Sequence, residues 1–305
     1  MSLNLHGTNS DGQTIKNLPA GSTATVDATI ANRLPGIAAM IRGEEIDVFG
    51  AQECTAAWLS ALDEELNEFS YVGKSNTTHG EGGYIFYRTD QYTLINNGTF
   101  YLANGAPTIS TQTEGISADR VCSWALLQVT GTDDYFLFMD THLTAATSDN
   151  LTSFAAYHGL DSATADDVTN YQAAVIVNEI ADILSACGKD STCPVILVGD
   201  MNAESTTKTY ATLTADLKDA CVEANSPYVD YNTGYSYNYV DPTNPSYRID
   251  GHRIDYILVN DAVTVVSYDM IHTSTNLSPY KAANGDGYIS DHNAVIAQIQ
   301  IGDGE

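Results

Sequence analysis

Length, composition and charge limit the classes of protein to which this chain can belong. Its 305 residues are 43% hydrophobic and 17% charged, which is typical of a globular protein with a substantial core. Acidic residues outnumber Lys and Arg by 39 to 12, and a net charge of -27 disfavours stable binding to nucleic acid, because such binding needs a basic surface. No stretch reaches the roughly 20 apolar residues of a membrane span, so we expect no transmembrane segment.

The spacing of the cysteines is one indication of the cellular compartment in which the protein resides. The 5 cysteines pair neither as a zinc cluster nor as a disulfide scaffold. Cys187 and Cys193 flank a short segment and could close a small loop, which would indicate an oxidising compartment. With the low Lys and Arg content, this favours an extracellular or periplasmic protein. No signal-peptide pattern opens the chain, and we expect that any export signal has been removed.

Helical and extended patterns alternate along the chain without internal repeats. The predicted helices are residues 34–42, with Pro35 near the first turn, then the stretch around Trp58 to Leu66, and a third from Asn170 to Cys187. The predicted strands are residues 46–53, Tyr84–Arg88, Tyr92–Ile95, Arg120–Val129, Tyr135–His142, 195–198, Arg253–Val259 and the stretch after Ser290. No linker-like stretch divides them, so residues 1–305 are predicted to form a single domain.

Two segments show no clear periodicity. Thr144 to Thr169 is polar and rich in small residues, and it is predicted to be a long surface excursion near the site. Tyr228 to Tyr247 is rich in tyrosine. That loop could stack on a base, a sugar or a choline-like cation, although a loop packed on itself is the preferred interpretation.

The unbroken apolar run that ends at Val198 predicts a strand buried on both faces. Gly199, Asp200 and Asn202 follow at its carboxyl end, where open α/β folds place their ligands. Asp200 and Asn202 are two residues apart, so on extended backbone both project to the same side. Alone, this motif would be read as a polar turn with an Asx cap.

Other residues able to bind metal or to move protons also lie at strand edges. A sheet can gather such residues into one site from distant parts of the chain. With Asp200 and Asn202, the set comprises Asn4, Glu53, His142, Asp255, Asp291 and His292. The recurrence at strand edges requires a common explanation.

In these motifs the chain resembles the endonuclease/exonuclease/phosphatase superfamily, which includes pancreatic-type deoxyribonucleases, abasic-site endonucleases, bacterial sphingomyelinases and inositol-polyphosphate phosphatases. Each motif is weak alone, but they stand in family order over nearly the whole chain. They are Ser2-Leu3-Asn4, Gln52-Glu53, Glu81 ahead of Ile85-Phe86-Tyr87-Arg88, Arg120-Val121-Cys122-Ser123-Trp124, Thr141-His142-Leu143, Gly199-Asp200-Met201-Asn202-Ala203, Arg253-Ile254-Asp255-Tyr256 and Ser290-Asp291-His292.

The resemblance implies an α/β fold of the DNase I-like type, a four-layer α-β-β-α sandwich of two packed mixed β-sheets flanked by helices. It also implies a divalent cation at the sheet ends, usually Mg²⁺, with Mn²⁺ as a possible substitute. The ligands implied are Glu53, Asn4 and Asp291, and the oxygen donors suit Mg²⁺. Without the other motifs, Glu53 would be read as a structural carboxylate paired with Arg.

The same resemblance assigns catalytic roles. His292 would take a proton from water, with Asp255 fixing its tautomer and raising its basicity. His142 would contact the scissile phosphate, with Glu81 as its orienting partner. Asp200 and Asn202 would position the water and the phosphate or contribute to metal binding.

Basic residues and the remaining histidines are assigned separately. Arg88 and Arg120 are candidates for phosphate or core-carboxylate partners, and a structural ion pair is preferred for both. The histidines without a motif partner are expected to be surface or loop residues. They are His6, His79, His158, His252 and His272.

The predicted function is a divalent-metal-dependent phosphoesterase, with a phosphodiesterase favoured, acting by in-line attack of activated water. Its substrate would be a phosphate ester such as a lipid headgroup, a nucleotide or a nucleic acid, and a secreted nuclease and a sphingomyelinase-like phospholipase both stay open. Ala203-Glu204-Ser205 replaces the aromatic and basic pair of the inositol phosphatases, which argues against that activity. The alternative from another class is a catalytically silent binding module with the same fold.

Overall fold

The computed structural model describes residues 1–7, 16–17, 25–75, 81–103, 120–231, 233–234 and 252–301. The helices in this part of the chain are α1 (Ile30–Gly43), α2 (Ala56–Glu65), α3 (Ser148–His158), α4 (Ala165–Ala186), α5 (Lys208–Leu213) and α6 (Ala220–Glu223). The strands are β1 (Ser2–Asn4), β2 (Lys16–Asn17), β3 (Thr25–Val26), β4 (Val48–Thr55), β5 (Phe69–Ser75), β6 (Glu81–Arg88), β7 (Tyr92–Tyr101), β8 (Val121–Val129), β9 (Tyr135–His142), β10 (Val195–Asp200), β11 (Lys218–Asp219), β12 (Asp255–Val259), β13 (Val263–Ile271) and β14 (Ala294–Ile301).

Two six-stranded sheets dominate the described residues. Their strand orders are β13-β14-β1-β4-β6-β5 and β11-β12-β10-β9-β8-β7. Each is mixed, because β1 runs parallel to β4 and β9 runs parallel to β10, whereas the other pairings are antiparallel. The predicted sandwich of two mixed sheets flanked by helices is confirmed.

Strands β9 and β10 show why their sequences are apolar at every position. Phe138 and Val198 point inward and pack between the two sheets. Met139 and Leu197 point outward and pack beneath the Ile176 face of α4. The prediction of a strand buried on both faces is therefore confirmed, since alternate residues serve two different cores.

Several helix boundaries differ from the prediction. Helix α1 begins at Ile30, because Thr29 caps it by accepting from the backbone N–H of Asn32. Pro35 therefore lies inside the helix, at the loss of one backbone hydrogen bond.

The segment from Thr144 to Thr169 lies near the predicted site residues, as expected, because it lines the same cavity as His142 and Asp200, but the prediction of an irregular excursion was wrong. Capping boxes at Thr147 and Thr164 begin α3 and α4 within it. The segment therefore carries helices that its weak periodicity did not reveal.

Two further expectations concern cysteines and the membrane. Cys187 and Cys193 are free thiols, so they give no support to an oxidising compartment. Among the described residues, no helix combines the length and the apolarity that crossing a membrane requires.

A buried arginine ties the amino-terminal strand to α1. Arg33 is fully buried, and its guanidinium lies 4.7 Å from the centre of the Trp58 ring. It donates to four backbone carbonyl oxygens, those of Ala28 at 2.8 Å, Leu5 at 2.5 Å, His6 at 3.0 Å and Ile289 at 3.3 Å. Arg33 therefore holds the chain after Asn4 and the chain before Asp291 in one place.

We predict that Arg33→Met lowers the free energy of unfolding by more than about 3 kcal/mol, because buried carbonyls would lose their donor. Arg42→Met is the matched control. Arg42 is 46% exposed and pairs with Glu65 and Glu68, so its loss is expected to cost no more than about 1 kcal/mol. Urea unfolding measures both, and equal costs would contradict the role of Arg33.

A second buried group makes stability depend on pH. Asp140 is fully buried between the sheets and accepts from Gln52 Nε2 at 2.6 Å. Burial raises the pKa of this carboxyl well above its usual range, although Gln52 opposes the shift. The folded protein therefore retains a proton on Asp140 at pH values where the unfolded chain has released it. The free energy of unfolding is highest below the pKa of Asp140 in the unfolded chain, and it falls as pH rises towards the pKa of Asp140 in the folded protein.

Asp140→Asn should therefore raise the melting temperature at pH 7 and have little effect near pH 4. The free-energy difference should grow by about 1.4 kcal/mol per pH unit while only the folded state holds the proton. The exposed Asp63→Asn serves as the control. A stability difference for Asp140→Asn that does not change between these pH values would contradict the prediction.

Candidate active site

Strand periodicity gathers the core of the site. Asn4, His142, Asp200 and Asp255 stand at the ends of β1, β9, β10 and β12, and all four are buried. In β10, Asp200 continues the inward face of Ile196 and Val198. Four strands from two sheets thus direct polar side chains into one space between the layers.

The last part of the site comes from the loop before β14. His292 donates its backbone N–H to Ser290 Oγ at 3.1 Å, and Ser290 donates to the carbonyl oxygen of Asn4 at 2.5 Å. Thr273 Oγ1 donates to the carbonyl oxygen of His292 at 2.6 Å. These bonds fix the loop against β1 and so fix the position of the His292 ring.

His292 and Asp255 form a buried pair. Nδ1 of His292 lies 2.9 Å from Oδ2 of Asp255, and their side chains are 3% and 1% exposed. Burial disfavours the charged imidazole, but Asp255, with smaller contributions from Asp200 and Asp291, raises the pKa of His292 to about 10. The pair therefore stabilises the imidazolium that forms when His292 accepts a proton.

Asp200 lies close to three other side chains of the site. Its Oδ2 lies 3.0 Å from Asn4 Nδ2, 3.4 Å from His142 Nε2 and 3.7 Å from His292 Nε2. Its Oδ1 accepts from the backbone N–H of Asn202 at 2.9 Å. Burial, followed by repulsion from Asp255, raises the pKa of Asp200 to about 6.

His142 shares the site but is held in a different charge state. Burial, with the nearby charges of Arg120 and His292, holds the pKa of His142 well below its usual range. Its Nδ1 is buried and has no hydrogen-bond partner among the described residues. Glu81, expected to orient it, lies at the start of β6, and the side chain of Glu81 falls outside the described residues.

Two of the predicted metal ligands contact each other. Asn4 Nδ2 donates to Glu53 Oε1 at 3.1 Å, and the backbone N–H of Gly7 donates to Glu53 Oε2 at 2.9 Å. Asp291 Oδ2 lies 3.6 Å from His6 Nε2, whereas Asp291 Oδ1 is buried without a hydrogen-bond partner among the described residues. The orphaned carboxylate oxygen of Asp291 and the carboxylate of Glu53 are oxygen donors of the kind that a hard divalent cation prefers.

A second group of side chains also has the spacing of metal ligands. One ligand atom each from Asp200, Asp255 and His292 lies within 4.8 Å of the others, and all three residues are buried. This buried group could bind a metal. The 2.9 Å contact between His292 and Asp255 equally suits proton transfer, which uses the same atoms.

Backbone strain concentrates at this site. Among the described residues other than glycine, positive φ angles occur at His6 (51°), Glu45 (51°), Glu53 (53°), Asn202 (45°) and Asn225 (50°). Three of these residues belong to the site or contact it. Such conformations persist where surrounding contacts enforce them, and they cluster at functional sites.

The site opens into a cavity of about 580 Å³. Glu53, His142, Asp200, Asn202 and His292 line its inner end, and Arg120 is the one Lys or Arg among the described lining residues. The cavity continues beyond Asn202 past small and hydroxyl-bearing side chains to Glu204 and His252.

Two of the histidines expected to be surface or loop residues lie at the site. His6 contacts Asp291, and its place two residues after Asn4 on the same strand end was the available signal. His252 lines the cavity and contacts Glu204, a pairing that no local pattern indicated. Thr233 was also missed: its Oγ1 accepts from the backbone N–H of Asp255 at 3.0 Å.

The predictions for the two arginines have different outcomes. Arg88 forms a structural ion pair with Asp90 at 2.6 Å, as preferred, whereas Arg120 lines the cavity. Part of the tyrosine-rich loop, residues 232 and 235–247, lies outside the described residues, as does His79.

Solved structures share this fold along most of the chain. An endonuclease/exonuclease/phosphatase from Bacteroides vulgatus is 22% identical with a TM-score of 0.67, and the match covers 90% of this chain and 92% of that one. A mannosyl-6-phosphatase from Bacteroides thetaiotaomicron is 24% identical with a TM-score of 0.65 and the same coverage. The human Nocturnin catalytic domain with bound sulfate is 17% identical with a TM-score of 0.58, covering 89% and 87%.

At these identities the structural likenesses show the fold alone. Among curated proteins, none matches this chain closely. The model of the Endonuclease/Exonuclease/phosphatase family matches residues 1–292, which is nearly the whole length. With that match and the two-sheet sandwich, the chain belongs to the endonuclease/exonuclease/phosphatase family.

Proposed function

We propose that this chain is a divalent-metal-dependent phosphoesterase that hydrolyses a phosphate ester by in-line attack of water. The family's members are phosphoesterases. The observation that carries the proposal here is the position of His292, bonded to Asp255 through Nδ1 and facing Asp200 through Nε2. A buried imidazole with a carboxylate behind it is suited to accept a proton from water.

Each residue of the pair has a defined task. The Asp255 contact holds a hydrogen on Nδ1, so His292 exchanges its other proton through Nε2. Because its pKa is raised to about 10, His292 is mostly charged at pH 7, and the neutral form that takes the proton from water increases as pH rises. Asp200 Oδ2, 3.7 Å from Nε2, is placed to accept the second hydrogen of the same water and so to orient it. The pair and Asp200 together hold the water that attacks.

The opposite wall is suited to the phosphate. Because its pKa is lowered, His142 is neutral at pH 7 and can donate one hydrogen bond without adding charge. Arg120 supplies positive charge from the cavity wall. Asn202, held by its own bond to the carbonyl oxygen of Leu143 at 2.9 Å, presents a fixed polar side chain to the same cavity.

The family uses divalent metals, and in this chain Glu53 and Asp291, with Asn4, would hold the ion. When bound, it supplies positive charge that a phosphoryl oxygen needs, in an acidic cavity whose described lining has Arg120 as its one Lys or Arg. We propose Mg²⁺, with Mn²⁺ as a substitute, because the donor set is made of oxygen atoms.

Two readings of the substrate stay within this proposal. The sequence favours a phosphodiester. A structural neighbour is a mannosyl-6-phosphatase, which supports a phosphomonoester. Comparison of p-nitrophenyl phosphate with bis(p-nitrophenyl) phosphate, under identical metal conditions, separates the two.

Metal removal tests the proposal most directly. EDTA should abolish hydrolysis of both esters, and added Mg²⁺ or Mn²⁺ should restore it, because the acidic site cannot neutralise the phosphate unaided. Calorimetric titration with Mn²⁺ should show binding that is weakened in Glu53→Gln. Full activity in EDTA, or unchanged Mn²⁺ binding in the variant, would contradict the proposal.

His292→Ala is expected to lower kcat by about 10²- to 10⁴-fold or more, the usual cost of losing a general base. Glu53→Ala should also nearly abolish turnover, and both variants should stay folded by circular dichroism. His272→Ala is the matched control, because His272 does not line the cavity. Full activity in both site variants would overturn the assignment of the site.

A further inference from the structure

Besides the residues of the reaction centre, the same cavity is lined by a second set of residues, here called the second compartment. Its described walls are mainly small and hydroxyl-bearing side chains: Thr144, Ala145, Ala146, Ala165, Thr169, Ala203 and Thr207. Three side chains there can carry charge, namely Asp166, Glu204 and His252. A leaving group attached to a phosphate at the inner end would extend into this compartment.

Asp166 is already engaged. Its Oδ1 accepts from the backbone N–H of Thr209 at 3.0 Å and from Thr209 Oγ1 at 2.8 Å, and its Oδ2 accepts from the N–H of Lys208 at 2.9 Å. These bonds fix α5 against α4. Asp166 is therefore a structural carboxylate.

Glu204 and His252 are different, because their side chains are 46% and 55% exposed and contact each other through Glu204 Oε1 and His252 Nδ1. Their backbones are fixed: Thr207 donates twice to the carbonyl oxygen of Glu204, and His252 O accepts from Thr233 N at 3.2 Å. Thr233 also contacts the backbone of Asp255. The two side chains are thus exposed, while backbone hydrogen bonds link His252 through Thr233 to Asp255 on β12.

Resting on the proposed function, we propose that Glu204 and His252 form a leaving-group subsite that binds a neutral alcohol with adjacent hydroxyls, such as a sugar or another polyol, and rejects one with a second phosphate. The carboxylate of Glu204 is 46% exposed and accepts hydrogen bonds from hydroxyls, and the His252 imidazole lies beside it. Glu204 stands just after the Gly-Asp-x-Asn motif, where inositol phosphatases carry a basic residue. A basic residue there would attract a second phosphate, whereas the negative charge of Glu204 repels it.

Other leaving groups fit the compartment less well. A nucleic acid would bring further phosphates towards Glu204, with Arg120 as the one described Lys or Arg in the lining. Neutral hydroxyls match both the charge and the polarity of these walls.

The test compares kcat/KM for glucose 6-phosphate with kcat/KM for p-nitrophenyl phosphate, which has no hydroxyls. In Glu204→Ala this ratio should fall by about 10- to 100-fold, because a bond to a charged group is lost only with the sugar. Glu64→Ala, which removes an exposed acid on α2, should leave the ratio unchanged. A Glu204→Ala ratio equal to that of the unmodified protein would overturn the subsite.

Charge reversal provides an independent result. Glu204→Lys should raise kcat/KM for glucose 1,6-bisphosphate relative to glucose 6-phosphate, since it replaces repulsion of the second phosphate with attraction. No change in this ratio would show that Glu204 does not face the leaving group.

Binding separates failure of the subsite from failure of the proposed function. If the unmodified protein hydrolyses no ester, the proposed function fails, and the subsite is then judged by calorimetry alone. Glucose 6-phosphate should bind more tightly than inorganic phosphate to His292→Ala, and Glu204→Ala in that background should remove the difference. Equal affinities for the two compounds in His292→Ala would overturn the subsite by themselves.

Discussion

Face-to-face packing of the two sheets decides where polar groups can stand. Inner positions of the central strands are apolar along most of their length, because they meet the other sheet and exclude water. Gly50 shows how closely the layers approach, since a Cβ there would collide with Asp140 and Val198 of the opposite sheet. A polar group at these inner positions needs a buried partner, as Asp140 has in Gln52. At the strand ends the inward positions carry the polar groups of the site, where the cavity gives a substrate access to them.

Burial then determines the chemistry of those groups. Desolvation disfavours the charged form of every buried titratable side chain in the site, and neighbouring charges decide which side chains are charged nevertheless. Asp255 keeps its neighbour His292 in the charged range, whereas Arg120 and His292 help to keep His142 neutral. Two histidines at one site thus differ in charge because one has a carboxylate behind it. This difference supports separate roles, one towards water and the other towards phosphate.

Specificity is supplied from outside this core. Arg33 and the loop bonds to Thr273 fix the reaction centre from behind, and they involve backbone carbonyls rather than the substrate. The second compartment depends instead on His252, just before β12, and on Glu204, in the turn after β10. Residues outside the reaction centre can therefore change the substrate without changing the fold.

Periodicity along the chain predicted the strand that carries Asp200 and the polar strand ends, because a buried strand leaves its pattern in its own residues. The order of the motifs implied the sandwich through the resemblance to a known family. The sequence did not indicate the start of α1, since the Thr29 cap outweighs the signal of Pro35, nor the helices between Thr144 and Thr169, whose apolar faces are weak. The place of His6 after Asn4 was the one signal for its contact with Asp291, and no local pattern indicated that Glu204 meets His252. Both contacts join residues that are far apart in the chain, so the tertiary fold decides them.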